Sequence, residues 1–600
     1  MIARTVFSLL EEAVSKYGDS PALHQPVHED GKRKYEVYTW RRFRDLAREI
    51  AAGLHSLGIR KGDVVALHSE TRAEFYLADF GIMAMGGISS AVYTSYPPSE
   101  LVKTLRASAA RLVFADTPKS LQALMGAGAR ELAVKWVLLT GEAEGVPNLE
   151  ELRALGRKAI EEDAGLFARL HSAVHPEDHA ILYLTSGATG EPKMGLVTHR
   201  ALVANVDMGP EVLDLGPGDA TLAFLPSAHI AQRIAIEFLG VRAGVPVWFS
   251  EGLHRMPHEM RSVRPAFFLA PPRVWERIYS SVCTEIRKKS PPVQRLFWGA
   301  LGLSLQAIRL RSEGRSVPFW MSAALKVADR AVFTRLRARF GGRMRLPISG
   351  AAPLGRDLAH FYEAIGMPLL EGYGLTEGGV ITLNPYGNAK AGSIGRMLPG
   401  VLWKLSAEGE LLLGGPTIFS GYFRDPEATA QVLRDGWLHT GDLAEVDADG
   451  YFHITGRKKE MIVSSNGKNI YPVRIENLLK MEPIFEQMIL LGDRRPYVSA
   501  LFTLNEAAAR SLKGMEARKD APLRELAAAA PVVAEVKRAL AKANRQLAPF
   551  EQVRKYRILE RPFSIEHGEL TATMKVRRAR VVENFHHLVS ELYAGKDETD

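Results

Sequence analysis

Apolar positions in the first half of the chain alternate between helical spacing and short unbroken runs. Apolar side chains at 43, 46, 47, 50, 51, 54 and 57 have the spacing of one helix face, with Thr39 as the candidate N-cap. A second helical stretch covers 73–85, whereas 62–67 and 111–116 are typical of buried strands. Helices and strands in alternation predict an α/β fold with largely parallel sheets.

The pattern changes near residue 400, where short apolar runs lie between tight turns. The segments 409–415 and 449–454 predict strands of a small β-rich subdomain, and a helix is expected from about Val473. Six hundred residues also exceed what one hydrophobic core can organise. We therefore expect an N-terminal domain, 1–456, of α/β subdomains plus the β-rich subdomain, followed by a small, mobile α+β C-terminal domain, 457–600.

Composition is that of an ordinary globular protein, with 46% hydrophobic and 24% charged residues. The single cysteine, Cys283, excludes an intramolecular disulfide and a cysteine metal cage, and it fits a reducing cytoplasm. Residues 1–20 mix acidic with apolar residues, which predicts an amphipathic helix rather than a signal peptide. No apolar run is long enough to span a bilayer. These features predict a cytoplasmic protein.

Positive charge is concentrated in the segment 280–345. This segment holds fourteen Lys and Arg against three acids, a net +11 beside the +9 of the whole chain, so the remainder is close to neutral. Aromatic and apolar residues are interspersed with the charges, a composition that suits peripheral contact with an anionic membrane. A solvated helix pair that packs its apolar side on the core explains the same pattern. No nucleic-acid-binding module accompanies the charge, so nucleic acid is not an expected partner.

The stretch 181–199 leaves an apolar run through hydroxyls and glycines and ends on a lysine. Hydroxyls, free backbone amides and one cation are the groups that bind a phosphate chain. The spacing differs from that of the P-loop NTPases, in which Lys-Ser/Thr directly follows the second glycine. The loop is expected to join strand to strand, with Thr198 as N-cap of the next helix. Its candidate phosphate-binding residues are Thr185, Ser186, Gly187, Thr189, Gly190 and Lys193.

Five later segments carry residue types suited to nucleotide chemistry, although each alone also fits a structural role. They are 225–233 with a histidine, the small-residue turn 348–354, the aromatic, hydroxyl and carboxylate motif 371–377, the acidic turn 435–442, and the basic stretch 570–578. Their candidate residues are His229, Gly350, Ala351, Tyr373, Gly374, Thr376, Glu377, Asp442 and Lys575.

In this order the segments resemble those of the adenylate-forming superfamily, and most closely its AMP-forming long-chain fatty acyl-CoA synthetases. The resemblance rests on Thr-Ser-Gly-x-Thr-Gly-x-Pro-Lys at 185–193, Tyr-Gly-x-Thr-Glu at 373–377, Thr-Gly-Asp at 440–442, Gly-Arg-Lys-Lys at 456–459 and Lys575. It covers nearly the whole chain. It implies ATP, Mg²⁺ and coenzyme A as cofactors and a fatty acid as the substrate.

The resemblance also implies roles for individual residues. Glu377 would hold the metal, Thr376 would contact the α-phosphate, and Lys575 would bridge the carboxylate and phosphate during adenylation, with His229 as a further catalytic residue. Lys459 would be the pivot of the C-terminal domain. The implied cofactor-binding residues are the 185–193 loop with Gly350, Ala351, Tyr373, Gly374, Asp442, Arg457, Lys459, Gly467 and Lys468.

Two positions depart from the family pattern. Ala188 replaces a threonine and removes one hydroxyl from the loop, which puts the rate in question. Asn466 replaces a glycine, and asparagine tolerates a positive φ, so that loop is expected to keep its shape. Two alternative functions stay open: an acyl-AMP ligase that loads a carrier protein, and a CoA ligase for a shorter or aromatic acid. An amino-acid substrate is not expected, because 227–229 offers no carboxylate for an ammonium group.

Overall fold

Local signals in the sequence correctly predict the first helices. The computed structural model describes residues 4–185, 193–518, 520–571 and 574–594. The N-terminal amphipathic helix is Val6–Tyr17, and the helix predicted behind Thr39 is Trp40–Ser56. The Thr39 hydroxyl accepts a hydrogen bond from the Arg42 amide at 3.1 Å, which caps the otherwise unpaired first turn. The second predicted helix is Ala73–Ala84.

The larger of two main sheets has nine strands among the described residues. Its six central strands run parallel, and antiparallel strands close both edges. In spatial order the strands are Arg396–Met397, Gly379–Leu383, Leu370–Leu375, Leu346–Ser349, Phe267–Ala270, Thr221–Ala223, Val247–Phe249, Pro21–Glu29 and Lys32–Thr39.

The second main sheet has seven strands in the same described ranges. The expected strand-to-strand loop is confirmed, because the strands on either side of it pair antiparallel from Thr185 and Lys193 to His179 and Thr198. Thr198 caps the following helix, as predicted. In spatial order the strands are Gly421–Tyr422, Lys193–Thr198, His179–Thr185, Ile88–Val92, Val64–His68, Leu112–Ala115 and Lys135–Leu138.

The predicted β-rich subdomain is an antiparallel sheet. Five strands build it in the described chain: Leu402–Leu405, Glu410–Gly414, Leu433–Arg434, Trp437–Val446 and Phe452–Arg457. The last two strands pair so that Asp442 faces Arg457 across the sheet. This register brings together two of the residues that the sequence singles out.

Beyond residue 457 the described chain forms smaller sheets flanked by helices. A hairpin pairs Ile462–Val463 with Asn469–Ile470, and a three-stranded sheet contains Phe485–Leu491, Val498–Leu504 and Val553–Ile558. Helices on either side are Pro472–Lys480, Glu506–Arg510, Leu523–Ala528, Ala530–Asn544, Arg578–Asn584 and His586–Tyr593, with a 3₁₀ turn at Glu516–Arg518. This mixed arrangement agrees with the predicted α+β character.

The remaining helices cover the faces of the main sheets and fill the segment 272–340. They are Pro98–Ala107, Pro118–Gly126, Leu149–Glu162, Leu166–Ser172, His199–Asp207, Gly209–Val212, Ile230–Gln232, Leu239–Ala243, Met256–Val263, Pro272–Arg287, Pro291–Ser312, Phe319–Ala328, Thr334–Arg337, Arg356–Ala364 and Pro426–Val432. Shorter turns are 3₁₀ at Ala129–Glu131 and Ala338–Phe340 and π-helical at Arg233–Phe238 and Asp329–Phe333. Among the described helices, none has both the length and the apolar composition needed to cross a membrane.

Separate hydrophobic cores lie on the two sides of residue 457. The largest core joins both main sheets, and a neighbouring one surrounds the buried Trp275 beneath the helices of 272–340. The part beyond 457 has two cores of its own. Ion pairs connect the two sides: Glu486 contacts Arg273 at 2.8 Å and Arg277 at 3.4 Å, and Lys480 lies 4.0 Å from Glu276.

Candidate active site

A cleft of roughly 1930 Å³ opens at the carboxyl ends of the parallel strands of the larger sheet. The segments 224–226, 271–274 and 350–355, each directly following a strand, line one wall. Residues from beyond the β-rich sheet, among them Glu460 and Lys575, line the other. The crevice at the carboxyl ends of parallel strands is where α/β folds bind ligands.

A buried carboxylate with two fixed donors forms the polar centre of this cleft. Asp442 is only 2% exposed, and its Oδ2 accepts a hydrogen bond from the Tyr373 hydroxyl at 2.6 Å. Its Oδ1 accepts from Nε of Arg457 at 2.8 Å. Burial, together with the Asp442 charge, raises the pKa of Tyr373 well above its usual value, so the phenol stays a donor. Asp442 is thus held in one orientation in the wall of the cleft.

The Thr-Gly-Asp motif explains how that carboxylate is positioned. The Thr440 hydroxyl donates to the Leu411 carbonyl at 2.7 Å and accepts from the Asp442 amide at 3.1 Å. Gly441 between them has φ +71°, a left-handed conformation that glycine adopts without strain. Each residue of the motif therefore has a separate local task in turning Asp442 into the cleft.

Lys575 enters the cleft from the C-terminal part of the chain. The preceding residue, Met574, has φ +64°, which is uncommon for a side chain with a Cβ and marks a tightly constrained turn. The Lys575 side chain is exposed to solvent. The surrounding protein nevertheless removes part of its hydration, and this desolvation, followed by repulsion from the Arg457 charge, lowers its pKa to about 8. The carboxylates of Asp442 and Glu377 oppose that shift. A lysine with this pKa is mostly charged at pH 7 and loses its charge as pH rises through about 8.

Glu377 belongs to a second polar cluster next to the strand that begins at Lys193. Its Oε1 accepts a hydrogen bond from the Tyr422 hydroxyl at 2.7 Å. The Lys193 ammonium lies 5.0 Å from the centre of the Tyr422 ring, within the range of a cation–π interaction. Tyr422 reaches this place because its short strand pairs with the Lys193 strand at Gly195. Tyr422 thereby fixes one oxygen of Glu377 and also contacts the Lys193 ammonium.

His229 is an N-cap residue and also part of the cleft wall. Its Nδ1 accepts a hydrogen bond from the Ala231 amide at 3.0 Å, which places the proton of the neutral ring on Nε2. Burial and then the Lys575 charge lower the pKa of His229 to about 3. The ring is therefore neutral at pH 7 and offers a hydrogen-bond donor rather than a charge.

The turn after strand Leu346–Ser349 is narrow and strained. Ala351 has φ +67°, and a small residue there lets a ligand approach the backbone closely. Nearby Glu371 is almost fully buried, and burial raises its pKa to about 8 although the Leu354 amide donates to it at 2.9 Å. This side of the cleft thus presents a neutral carboxyl group at pH 7 and not a second charge.

A narrow apolar pocket of roughly 100 Å³ opens behind the same wall. His229, Gly350, Ala351 and Tyr373 border both spaces. The apolar lining consists mainly of Val206, Val212, Leu213, Ile230, Ile234, Leu239, Phe267, Leu269, Ile348, Val380, Leu383 and Leu398. Among the described residues, the lining includes no Asp, Glu, Lys or Arg, so a charged group there would have no ion-pair partner, whereas a hydrocarbon chain would need none.

A fully buried charge network holds the helix that follows His229. Asp79, Ser89, Arg233 and Glu237 are all 0% exposed. Arg233 donates to both oxygens of Asp79, and Ser89 donates to the same carboxylate. Glu237 lies 3.9 Å from Nε of Arg233, and burial, followed by repulsion from Asp79, raises its pKa well above its usual value. Neither oxygen of Glu237 has a hydrogen-bond partner among the described atoms.

Comparison with known proteins identifies the family. A family model for AMP-binding enzymes matches residues 10–423, and a model for the C-terminal domain of AMP-binding enzymes matches residues 459–597. The chain belongs to the AMP-binding enzyme family. A long-chain-fatty-acid–CoA ligase of Mycobacterium tuberculosis, FadD15, is 35% identical over 552 residues, covering 91% of this chain and 90% of the relative. The human long-chain-fatty-acid–CoA ligase ACSBG1 is 30% identical and covers 98% and 85%, respectively.

Solved structures share the fold of this AMP-binding enzyme. The adenylation domain of a carboxylate reductase from Mycobacterium chelonae superimposes with a TM-score of 0.75 at 23% identity, over 99% of this chain and 92% of that one. An anthranilate CoA ligase in complex with anthranoyl-AMP gives a TM-score of 0.73 at 20% identity, over 99% of both chains. The predicted α/β architecture with a large N-terminal and a small C-terminal part is confirmed.

The cleft of this AMP-binding enzyme collects many of the residues that the sequence singles out. Its lining includes His229, Gly350, Ala351, Tyr373, Gly374, Asp442, Arg457 and Lys575. Thr376, Glu377 and Lys193 lie beside this lining, and Lys459, Gly467 and Lys468 do not belong to it. Ser186, Gly187, Ala188, Thr189, Gly190 and the side chain of Thr185 lie outside the described residues.

Some contributors could not be found from the sequence. Tyr422 has no motif of its own, and only strand pairing shows that it contacts Glu377. The protonation of Glu371 depends on burial, which its motif does not reveal. In the 464–469 loop, Gly467 has φ +70° and Asn466 has no positive φ.

Proposed function

We propose that this protein activates a long-chain fatty acid with ATP and transfers the acyl group to coenzyme A, releasing pyrophosphate and AMP. The observation that carries the proposal is the shared wall between two different spaces. A polar cleft with an oriented carboxylate and a lysine meets an apolar pocket at His229, Gly350 and Tyr373. A fatty acid needs this combination, because its carboxylate must meet ATP while its chain leaves water.

In the first half-reaction, a carboxylate oxygen of the acid attacks the α-phosphorus of ATP, and pyrophosphate leaves. Negative charge gathers between the two substrates at that moment. Lys575 supplies a positive charge from the open side of the cleft, and Arg457 and Asp442 hold the ribose. Reactions of this kind depend on positioning and charge neutralisation more than on covalent help from the protein. Thr376 and the 185–193 loop hold the phosphates in this proposal.

Magnesium fits the cluster around Glu377. No group of three or more His, Cys, Asp or Glu side chains able to cage a metal occurs among the described residues. Mg²⁺ does not need such a cage, because it is usually held by one or two carboxylates together with substrate phosphates and water. Glu377, oriented by Tyr422 and next to Lys193, offers such a carboxylate. The ion would neutralise phosphate charge there.

In the second half-reaction, the thiol of coenzyme A attacks the acyl carbonyl carbon, and AMP leaves with the bonding electrons. Lys575 occupies the cleft in the arrangement described above and would have to withdraw to admit the thiol. We propose that the C-terminal domain, 457–600, turns about Lys459 against the N-terminal domain, 1–456. Lys459, Gly467 and Lys468 would act in that second arrangement, consistent with their position outside the cleft lining.

The long-chain class of the acid is inferred from the relatives, and the pocket bears only on whether the acid carries a charged amine. FadD15 and ACSBG1 are both described as long-chain-fatty-acid–CoA ligases. The pocket lining includes no carboxylate. An unpaired ammonium group would be costly there, which argues against an amino acid as the substrate.

A release assay for pyrophosphate, run over acids of increasing chain length with and without coenzyme A, tests the proposal. We expect release to require a long-chain acid and acyl-CoA to accumulate only when coenzyme A is present. Release with shorter or aromatic acids alone would replace the substrate class. Acyl transfer to a phosphopantetheinyl carrier protein, without transfer to coenzyme A, would replace the acceptor.

Residues 280–345 add a further element to the proposal. We place the enzyme in the cytoplasm, in peripheral contact with the inner face of an anionic membrane through this basic and aromatic segment. The charge of the segment supports this placement, because anionic lipid attracts clustered Lys and Arg.

A further inference from the structure

Exposed apolar side chains are concentrated on two neighbouring helices of the basic segment. In the described part of the chain, seven of the seventeen exposed large apolar residues fall within 280–345, about a ninth of the sequence. They are Val293, Leu296, Trp298, Leu305, Phe319, Trp320 and Val327. A water-soluble surface rarely gathers so much apolar area in one place unless it binds something.

The helix Phe319–Ala328 presents the most exposed members of this group. Phe319 is 88% exposed, Trp320 63% and Val327 68%. They lie at positions i, i+1 and i+8, which span an arc of about 100° on one side of the helix, away from the buried Met321 and Ala328. This exposed side is a short amphipathic face turned outward, the reverse of a helix that packs its apolar side on the core.

Positive charges without ion pairs lie close to this face along the chain. Of the fourteen basic residues in 280–345, five form ion pairs: Arg309, Arg315, Arg337, Arg339 and Arg345. The other nine make no ion pair with a carboxylate among the described residues, and all nine are exposed. Lys326 lies within the helix Phe319–Ala328, Arg330 lies in the π-helical turn Asp329–Phe333 that follows it, and Arg335 lies in the next short helix, Thr334–Arg337. Exposed apolar side chains with unpaired cations on the same and the following turns complement an anionic bilayer in both hydrophobicity and charge.

The helices behind this surface form part of the catalytic cleft. Pro272–Arg287 contributes lining residues to the cleft, and so do Leu336, Arg339 and Phe340. Residues 286–335, which carry the exposed apolar side chains, contribute none. The exposed apolar residues and the cleft-lining residues therefore belong to different parts of the same helical segment.

We infer that the docking surface, defined as Phe319, Trp320 and Val327 with Lys326, Arg330 and Arg335, inserts into the interface of an anionic phospholipid bilayer. A bilayer is the partner that accepts aromatic rings at headgroup depth while its lipid phosphates meet the surrounding cations. Docking there brings the cleft wall next to the phase in which long-chain acids dissolve. The surface specifies the membrane contact that is proposed above for 280–345, and only the delivery of the acid rests on the proposed ligase activity.

Sedimentation of the full-length protein with vesicles tests the surface directly. We expect it to sediment with vesicles that contain phosphatidylglycerol, to be released as salt rises, and to remain in solution with phosphatidylcholine alone. Replacing Lys326, Arg330 and Arg335 together by Gln should weaken binding about 10²-fold, at about fivefold per charge near the surface. The matched control is Lys119→Gln, Arg130→Gln and Lys135→Gln, three exposed and unpaired cations far from the surface, which should sediment as wild type does.

The apolar half of the surface needs its own variant. Phe319→Ser with Trp320→Ser keeps every charge and should reduce sedimentation at least tenfold, since rings lying in the interface contribute apolar burial. Phe550→Ser, at another exposed aromatic residue, should have no effect. Equal sedimentation of wild type and both surface variants would overturn the inference. Binding to vesicles of phosphatidylcholine alone would also overturn it. So would a dimer in lipid-free solution that Phe319→Ser with Trp320→Ser abolishes, because the surface would then bind a second copy of the chain.

Delivery of substrate is tested separately. With a long-chain acid dissolved in phosphatidylglycerol vesicles, both surface variants should lose acyl-CoA formation in proportion to their lost binding, while a detergent-dispersed acid restores the wild-type rate. If no acid is activated in any form, the proposed function fails and the sedimentation result still decides on the surface. If binding is lost but turnover with vesicle-borne acid is unchanged, the delivery step is wrong.

Discussion

Replacing Asp79 by Asn tests how the helix behind His229 is held. The Arg233 guanidinium is completely buried, and Asp79 provides its only charge-neutralising hydrogen bonds among the described residues. Removing one partner of a buried ion pair typically lowers the free energy of unfolding by about 3–5 kcal/mol, because the other charge is left uncompensated. That full loss assumes that no other group can take over the pairing.

Glu237 is in a position to take over. Burial, followed by repulsion from Asp79, raises its pKa well above its usual value in the folded protein, so folding favours its neutral form. Such a shift disfavours folding increasingly as pH rises above the unfolded value. Without the Asp79 charge, Glu237 can ionise and pair with Arg233 from its present 3.9 Å. We therefore expect Asp79→Asn alone to lose about 1–3 kcal/mol, below the range for an unpaired charge.

A double-mutant cycle separates these contributions. Glu237→Gln alone should be neutral or slightly stabilising at pH 7, since an amide needs no proton to be uncharged. The double variant with Asp79→Asn should lose the full amount of about 3–5 kcal/mol of unfolding free energy, because Glu237 can no longer replace Asp79. The coupling between the two sites, which are in contact, would then be about 2 kcal/mol. Urea unfolding followed by circular dichroism measures each free energy. Additive effects, or a loss in Glu237→Gln as large as in Asp79→Asn, would refute this account of the network.

Three further predictions concern the cleft itself. Glu377→Gln should lower the rate of adenylation about 10²-fold, as loss of one preorganised electrostatic group does. Tyr422→Phe should lower that rate less and raise the magnesium concentration that the reaction needs. Near-normal pyrophosphate release by Glu377→Gln at low magnesium would contradict the metal assignment. Lys575→Ala should lower the rate of adenylation about 10²–10³-fold but spare thioester formation from a presynthesised acyl-adenylate. Lys459→Pro should spare adenylation and slow thioester formation, because it fixes φ at the pivot. Equal loss of both steps in Lys575→Ala would mean that this lysine is structural. The rate of adenylation should fall as pH rises through about 8, because Lys575 loses its charge there. Lys575→Arg should remove that fall, since arginine stays charged. If the pH profile of Lys575→Arg is the same as that of the wild type, another group is responsible for the titration.

Features encoded by neighbouring residues were predictable from the sequence. Thr39 and Thr198 each precede an apolar helical pattern by one position, and each caps the helix that follows. The strand pair around the 185–193 loop follows from two apolar runs separated by small residues. Caps and strand runs depend on interactions within a few residues, so the sequence displays them directly.

Contacts between distant residues were not predictable in the same way. Asp79 and Arg233 are separated by 154 positions, and neither lies in a motif that announces a partner. In 280–345 the composition shows the cations, but only the fold shows that Arg337 is paired with Asp329 and Arg339 with Glu285. Burial and pairing decide which residues of a suggestive segment stay available, and both are set by tertiary packing.

The ion pairs between Glu486 and the two arginines of helix Pro272–Arg287 have a mechanical consequence. All three side chains retain solvent contact, as does the more distant pair of Lys480 with Glu276. Pairs of this kind contribute roughly 0–1 kcal/mol each, so together they hold the two parts of the chain against each other only weakly. In the proposed rotation of the C-terminal domain, thermal motion would break and re-form these ion pairs in each catalytic cycle. Lys575 would then leave the cleft and return without any step of the chemistry having to force the two parts of the chain apart.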